Sequence, residues 1–152
     1  DRKAFSGSGT AWGNFGWCVP ALENGLAQYG MHLGTAFQVV DDVLDYSGDA
    51  ASTGKNIGDD LNEGKPTLPL IFVLHQGTPE QIAVVRDAIE SGGRDGLTAV
   101  LEAINATGAL THARRMAEEE AACACAAIED LPHSSFKDSL LKLAAFAVER
   151  DH

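Results

Sequence analysis

The stretch PALENGLAQYGMHLGTAFQVVDDVLDY, residues 20–46, predicts one long helix and determines the fold class. Its apolar side chains recur at steps of three and four residues, which is the period of an α-helix. These residues are Leu22, Leu26, Tyr29, Leu33, Phe37, Val40 and Leu44. The polar, glycine-containing segment that follows is typical of a loop extending to about residue 66.

Further helices follow at short intervals along the chain. LPLIFVLHQG, residues 68–77, is typical of a short buried helix, and TPEQ, residues 78–81, supplies an N-cap, a first-turn proline and a glutamine three residues after the cap. More helices are expected over residues 79–91, 97–106 and 110–131. A last helix is expected after an N-cap at Ser135. No segment alternates with a period of two, so the sequence predicts an all-α, antiparallel helix bundle.

The first 19 residues lack this order. They contain both tryptophans of the chain and four glycines, with neither a helical nor a strand period. We expect an irregular segment over residues 1–19 and one helical domain over residues 20–152.

Composition and charge exclude several classes of function. The chain has 22 acidic and 11 basic residues, a formal charge of −11, which would repel a nucleic acid backbone. No run of about 18 apolar residues is present, so no integral membrane segment is expected. The N-terminus has no basic stretch followed by an apolar block, which predicts a cytoplasmic protein.

Three aspartates stand out near the end of the long predicted helix. Gln38, Asp41, Asp42 and Asp45 fall within one stripe about 100° wide, opposite the apolar residues. Three carboxylates on one turn repel each other, and the C-terminal helix dipole disfavours them further. A solvated acidic face is one interpretation. A magnesium site is the other, because Mg²⁺ takes one or two carboxylates and completes its shell with water and phosphate oxygens.

The loop after the helix favours the second interpretation. Lys55 and Lys65 lie in a glycine-rich segment that can fold back over the aspartates. Ammonium groups act as point charges on phosphate oxygens that metal ions leave uncovered. The pattern therefore indicates a diphosphate ligand.

These residues carry a family resemblance. GTAFQVVDDVLDYSGD, residues 34–49, and GKNIGDDLNEGKPTLPL, residues 54–70, resemble the second aspartate-rich region of trans-polyprenyl diphosphate synthases. HQGTPEQ, residues 75–81, is similar to the octaprenyl diphosphate synthase type. The resemblance covers residues 20–152 and implies the C-terminal half of an isoprenoid synthase fold.

The resemblance also implies a reaction and the residues for it. The reaction is the Mg²⁺-dependent addition of isopentenyl diphosphate to an allylic prenyl diphosphate, with release of the allylic diphosphate group, in quinone side-chain biosynthesis. The implied metal ligands are Asp41, Asp42 and Asp45, with Asp41 and Asp45 bound directly. The residues implied to hold the allylic diphosphate are Gln38, Lys55 and Lys65, and those with a catalytic role are Asp41, Lys55 and Gln38. Asp60 also matches the family pattern.

Only one of the family's two aspartate-rich motifs occurs here, and its Lys-Thr-Ala motif before residue 20 is not matched. We therefore expect a truncated form with little activity alone, whose complete enzyme is a homodimer. The alternative is a non-catalytic helical subunit or remnant that binds metal and diphosphate or pairs with a complete homologue.

Overall fold

A computed structural model describes residues 11–47, 57–93 and 96–150, and the regular structure in these ranges is entirely helical. The all-α class is confirmed. None of the described helices has both the length and the apolar character needed to cross a bilayer. The helices are α1 (Ala11–Ser47), α2 (Asp59–Asn62), α3 (Leu68–Gln76), α4 (Pro79–Ser91), α5 (Leu97–Thr107), α6 (Ala109–Ala127) and α7 (Ser135–Glu149).

The long helix α1 packs antiparallel to α6. Near the start of this contact, Gly25 lies against the carbonyl of Ala127, at the end of α6. Two turns later, His32 Nδ1 is 2.7 Å from Glu120 Oε2. Farther along, α1 contacts the N-terminal half of α6, which follows from the cluster of Val39, Val40, Val43, Ala113 and Ala117.

Small side chains on α6 allow the two helices to approach closely. The buried residues of α6 are all alanines: Ala109, Ala113, Ala117, Ala121 and Ala124. On α1, a Cβ built at Gly25 would lie 2.6 Å from the carbonyl oxygen of Ala127. The position therefore has no room for a methyl group.

The last helix, α7, runs parallel to α1. The Tyr29 hydroxyl donates a hydrogen bond of 2.8 Å to the Leu140 carbonyl oxygen. Farther along both helices, Arg150 follows the end of α7 and pairs with Asp41. This register brings the end of α7 beside the aspartate-rich turn of α1.

The helices α3, α4 and α5 pack together as a second layer, and α3 contacts the C-terminal part of α1. Their core is made of fully buried aliphatic side chains, which include Leu70, Val73, Val85, Val100 and Ile104. Leu61 of α2 is buried in the same cluster, so the short helix is fixed by one apolar anchor. The layer therefore holds α2 and the start of α3 against the turn of α1 that carries Asp41, Asp42 and Asp45, which we call the acidic turn.

Two sequence-based boundaries were wrong. The helix α1 begins at Ala11, so the backbone of residues 11–19 is helical where an irregular segment was expected, and residues 1–10 lie outside the described part. Pro20 therefore lies in the interior of α1, where it lacks the N–H that would bond to the carbonyl four residues earlier. The second error concerns the C-terminal end of α6, which stops at Ala127 instead of continuing to residue 131. The Lys137 ammonium donates to the carbonyl oxygens of Glu129 and Leu131, at 2.6 and 2.8 Å, and stabilises a turn there.

The predicted N-caps agree more closely with the structure. The Thr78 side chain accepts from the N–H of Gln81, and the Gln81 side chain accepts from the N–H of Thr78, which confirms the capping box of α4. The cap of α7 is Ser134, one residue before the expected position. The loop expected up to residue 66 contains the four-residue helix α2, which the sequence did not predict.

Candidate functional site

The three aspartates at the end of α1 have different surroundings. Asp41 is exposed, Asp45 is half-buried, and the side chain of Asp42 is buried. The expectation that all of them share a surface separate from the packing face was therefore wrong for Asp42. The reason is that α3 packs over this part of α1 and covers Asp42.

Asp42 connects α1 to the N-terminus of α3. Its Oδ2 accepts a hydrogen bond of 3.1 Å from the N–H of Leu68, the first residue of α3. Its Oδ1 accepts one of 3.1 Å from Nε2 of Gln38. The N-cap residue of α3, Thr67, makes no capping bond of its own, so the Asp42 carboxylate takes over that function.

A second contact supports the same junction. The Thr67 hydroxyl donates to the Tyr46 hydroxyl oxygen across 3.4 Å. Burial raises the pKa of Tyr46 to about 12, although the hydrogen bond from Thr67 opposes this shift. Tyr46 therefore remains neutral at every physiological pH and packs as a structural residue.

Asp45 performs the equivalent role for α2. Its Oδ2 accepts from the backbone N–H of Asp60 at 3.3 Å, in the first turn of α2. Partial burial raises the pKa of Asp45 above its ordinary value, and the nearby carboxylates of Asp60 and Asp59 raise it further. The backbone N–H groups of the same two residues oppose the rise. A cation beside these neighbouring carboxylates would favour the charged form of Asp45.

Asp41 faces the end of α7. Its Oδ1 is 3.3 Å from Nη2 of Arg150, and 55% of the Asp41 side chain is exposed. The Arg150 guanidinium also lies over the ring of Phe37, 5.4 Å from its centroid, one turn before Asp41. Sequence reasoning missed this contact, because the two charges are separated by 109 positions and Arg150 belongs to no motif.

The other predicted residues have mixed outcomes. Gln38 lies one turn before Asp42 and bonds to it. The Lys65 ammonium pairs with the carboxylates of Glu63 and Asp60, and these two contacts raise the pKa of Lys65. Lys55 lies outside the described residues. Asp60 connects both parts of the site, since its N–H binds Asp45 and its carboxylate binds Lys65.

The described residues suit a cation that is only partly enclosed by protein. No group of three His, Cys, Asp or Glu side chains in the described ranges is close enough to enclose an ion. Mg²⁺ does not need such an enclosure, because it retains several waters and binds through one or two carboxylates plus phosphate oxygens. Asp41 and Asp45, at i and i+4 on one helix, match that donor set.

The chain is similar to a known protein family and to one of its members. The polyprenyl synthetase family model matches residues 17–106. The chain is 51% identical over 150 residues to octaprenyl diphosphate synthase from Escherichia coli (strain K12), and the match covers 98% of this chain and 46% of that protein.

Two solved structures share the fold. A polyprenyl synthase from Caulobacter crescentus CB15, complexed with calcium and isoprenyl diphosphate, is 37% identical with a TM-score of 0.75, over 84% of this chain and 40% of that one. A geranylgeranyl pyrophosphate synthase from Corynebacterium glutamicum, complexed with isoprenyl diphosphate and magnesium, is 32% identical with a TM-score of 0.75, over 86% and 38%. The chain thus spans less than half the length of the relatives it matches.

Proposed function

This chain belongs to the polyprenyl synthetase family, and on that premise we propose that its acidic turn binds the diphosphate of an allylic prenyl substrate through Mg²⁺. The proposed reaction is the condensation of that substrate with isopentenyl diphosphate, to extend a polyprenyl chain of the octaprenyl type. A cytoplasmic location and a homodimeric complete enzyme remain predictions from the sequence.

The observation that carries the proposal is the fixed position of the acidic turn. Asp42 is tied to the first residue of α3, and Asp45 is tied to the first turn of α2, so the backbone between them has little freedom. Carboxylates held in place bind a cation without first losing conformational entropy. Asp41, on the same turn, points to solvent and is accessible to an incoming ligand.

We assign different roles to the three aspartates. Asp41 and Asp45 are the proposed direct ligands of the metal. Asp42, which is only 9% exposed and bonded through both oxygens, orients the turn instead. Gln38 supports Asp42 from one turn earlier and lies at the surface, where it can also reach the diphosphate.

The basic residues complete the proposed diphosphate site. Lys55 and Lys65 follow the acidic turn, and Lys65 is already anchored beside Asp45 through Asp60. A lysine near the diphosphate stabilises the charge that develops as the carbon–oxygen bond breaks. Mg²⁺, when bound, supplies most of that charge compensation. The solved relatives that contain a divalent cation with isoprenyl diphosphate support this pairing of ligands.

The proposal can be tested with a graft. The matching part of the Escherichia coli octaprenyl diphosphate synthase is replaced by this chain. The assay measures incorporation of labelled isopentenyl diphosphate into longer prenyl diphosphates, with farnesyl diphosphate as the allylic substrate. We expect Mg²⁺-dependent product from the graft, and a loss of roughly 100-fold or more in Asp41→Asn or Lys55→Ala, as for other groups that stabilise developing charge. A folded graft without activity, or an Asp41→Asn graft with full activity, would contradict the proposal.

The chain alone provides the second arm of the test. Its described part contains one acidic turn, whereas the family resemblance implies two facing metal motifs, so we expect little or no product from the 152-residue chain. The non-catalytic alternative predicts the same result for the chain alone but no activity for the graft. Activity of the graft therefore distinguishes an enzyme part from a binding module.

A further inference from the structure

Arg150 occupies a position from which it can control the acidic turn. It caps the C-terminal end of α7, and the parallel register of α7 and α1 places it level with Asp41. Its guanidinium is 3.3 Å from the Asp41 carboxylate, and only 27% of its side chain is exposed, against 55% for Asp41. The guanidinium therefore contacts the side of the Asp41 carboxylate that faces the protein, and the side that faces solvent stays open.

Packing holds the guanidinium in this position. The Phe37 ring lies 5.4 Å below it, at a distance typical of a cation–π contact. The small cavity beside it is lined by the apolar side chains Val40, Leu44 and Val148 of α1 and α7, and by the charged side chains Arg114 and Glu118 of α6. An arginine supported on two sides loses less freedom when it forms an ion pair than one on an open surface.

Resting on the proposed function, we infer that Arg150 is a positioning residue that pairs with Asp41 in the absence of metal and must release it when a divalent cation binds. The Asp41 oxygen that pairs with Arg150 binds a metal ion less strongly, because the guanidinium already offsets part of its negative charge. Arg150 therefore lowers the cation affinity of the acidic turn, and it couples the end of α7 to the occupancy of the site. A ligand that binds one state better shifts the population toward that state.

The expected magnitude is modest. Partly exposed ion pairs contribute little free energy, which corresponds to a change of about two- to fivefold in a competing equilibrium. Arg150→Gln should therefore tighten cation binding by about two- to fivefold. Arg150→Lys keeps the charge, and an ammonium group can also lie over the Phe37 ring, so its cation affinity should remain close to that of the wild type.

The test measures Mn²⁺ binding to the 152-residue chain by the electron paramagnetic resonance signal of the free ion. The variants are Arg150→Gln, Arg150→Lys, Asp41→Asn and the control Arg115→Gln. Arg115 pairs with Glu119 within α6, so its substitution removes the same charge without touching the acidic turn. Circular dichroism confirms the helical content of each variant.

We expect tighter binding in Arg150→Gln than in both the wild type and Arg115→Gln. Equal affinities in Arg150→Gln and Arg115→Gln would overturn the inference, because the effect would then reflect net charge alone. Weaker binding in Arg150→Gln, or no binding in any variant, would overturn it as well. Wild-type binding that Asp41→Asn leaves unchanged would instead argue against the proposed metal site itself.

Phe37 offers an independent check. Phe37→Leu removes the ring beneath the guanidinium and leaves all charges in place. If Arg150 acts through its supported position, this substitution tightens Mn²⁺ binding in the wild type and has no effect in the Arg150→Gln background. Equal effects of Phe37→Leu in both backgrounds would overturn the role of the packing.

Discussion

The close contact between α1 and α6 at Gly25 allows a sharp test of the packing. In Gly25→Ala the new Cβ would lie 2.6 Å from the carbonyl oxygen of Ala127, whereas ordinary contacts begin near 3.4 Å. The two helices must therefore separate by about 0.8 Å at this position. Such a separation disturbs the close packing that the buried alanines allow along α6. Overpacking of this kind typically costs about 1–3 kcal/mol.

Two other glycines of α1 provide matched controls. At Gly30 and Gly34, no atom lies within 4 Å of the position that a Cβ would take, so alanine fits there without displacement. Each of the three substitutions gains about 1 kcal/mol of helix propensity. Gly30→Ala and Gly34→Ala should therefore stabilise the protein by about 1 kcal/mol, and Gly25→Ala should be about 1–3 kcal/mol less stable than these controls.

The assay is urea denaturation followed by circular dichroism at the helical band. The free energy of unfolding of each variant is compared with that of the wild type. If Gly25→Ala is as stable as Gly30→Ala, the antiparallel contact of α1 with the end of α6 is not as close as described, and the reasoning fails.

The remaining predictions concern stability and ionisation. Asp42→Ala should lower the free energy of unfolding by about 1–2 kcal/mol, because α3 loses its capping carboxylate, and Asp42→Asn should recover most of this; equal losses in urea denaturation would argue against a capping role. Lys137→Met should cost about 1.5–3 kcal/mol, since it removes two charge-assisted hydrogen bonds to backbone carbonyls, whereas the exposed Lys142→Met should change the midpoint little. Both tyrosines, Tyr29 and Tyr46, have a pKa raised above 10 mainly by burial, to about 12 for Tyr46. The folded state then binds more protons than the unfolded state as the pH passes 10, so the free energy of unfolding should fall with rising pH in that range. Ultraviolet titration should show less tyrosinate at pH 10 in the folded chain than in the urea-unfolded chain.

Most helices could be predicted from the sequence because their signals are local. The apolar period of α1 and the capping box at Thr78 each lie within a few turns of chain, and both are confirmed. The turns that follow α6 could not be predicted in this way, because there the Lys137 ammonium of α7 donates to the carbonyl oxygens of Glu129 and Leu131.

The candidate site shows the same division. The sequence identified the carboxylates and their common turn, and the chemistry of three adjacent aspartates indicated a cation. It could not assign separate roles to Asp42 and Asp45, because those follow from the helix N-termini that pack against α1. Nor could it indicate Arg150, whose contact with Asp41 arises from the register of α7 on α1.

The most direct test of the central claim is a calorimetric titration of the 152-residue chain with farnesyl diphosphate, with and without Mg²⁺. We predict Mg²⁺-dependent binding in the wild type and a loss of about tenfold or more in Asp41→Asn. Asp42→Asn should lose less, because its amide oxygen can still accept from the N–H of Leu68. Binding that does not depend on Mg²⁺, or a folded Asp41→Asn variant with wild-type affinity, would contradict the account.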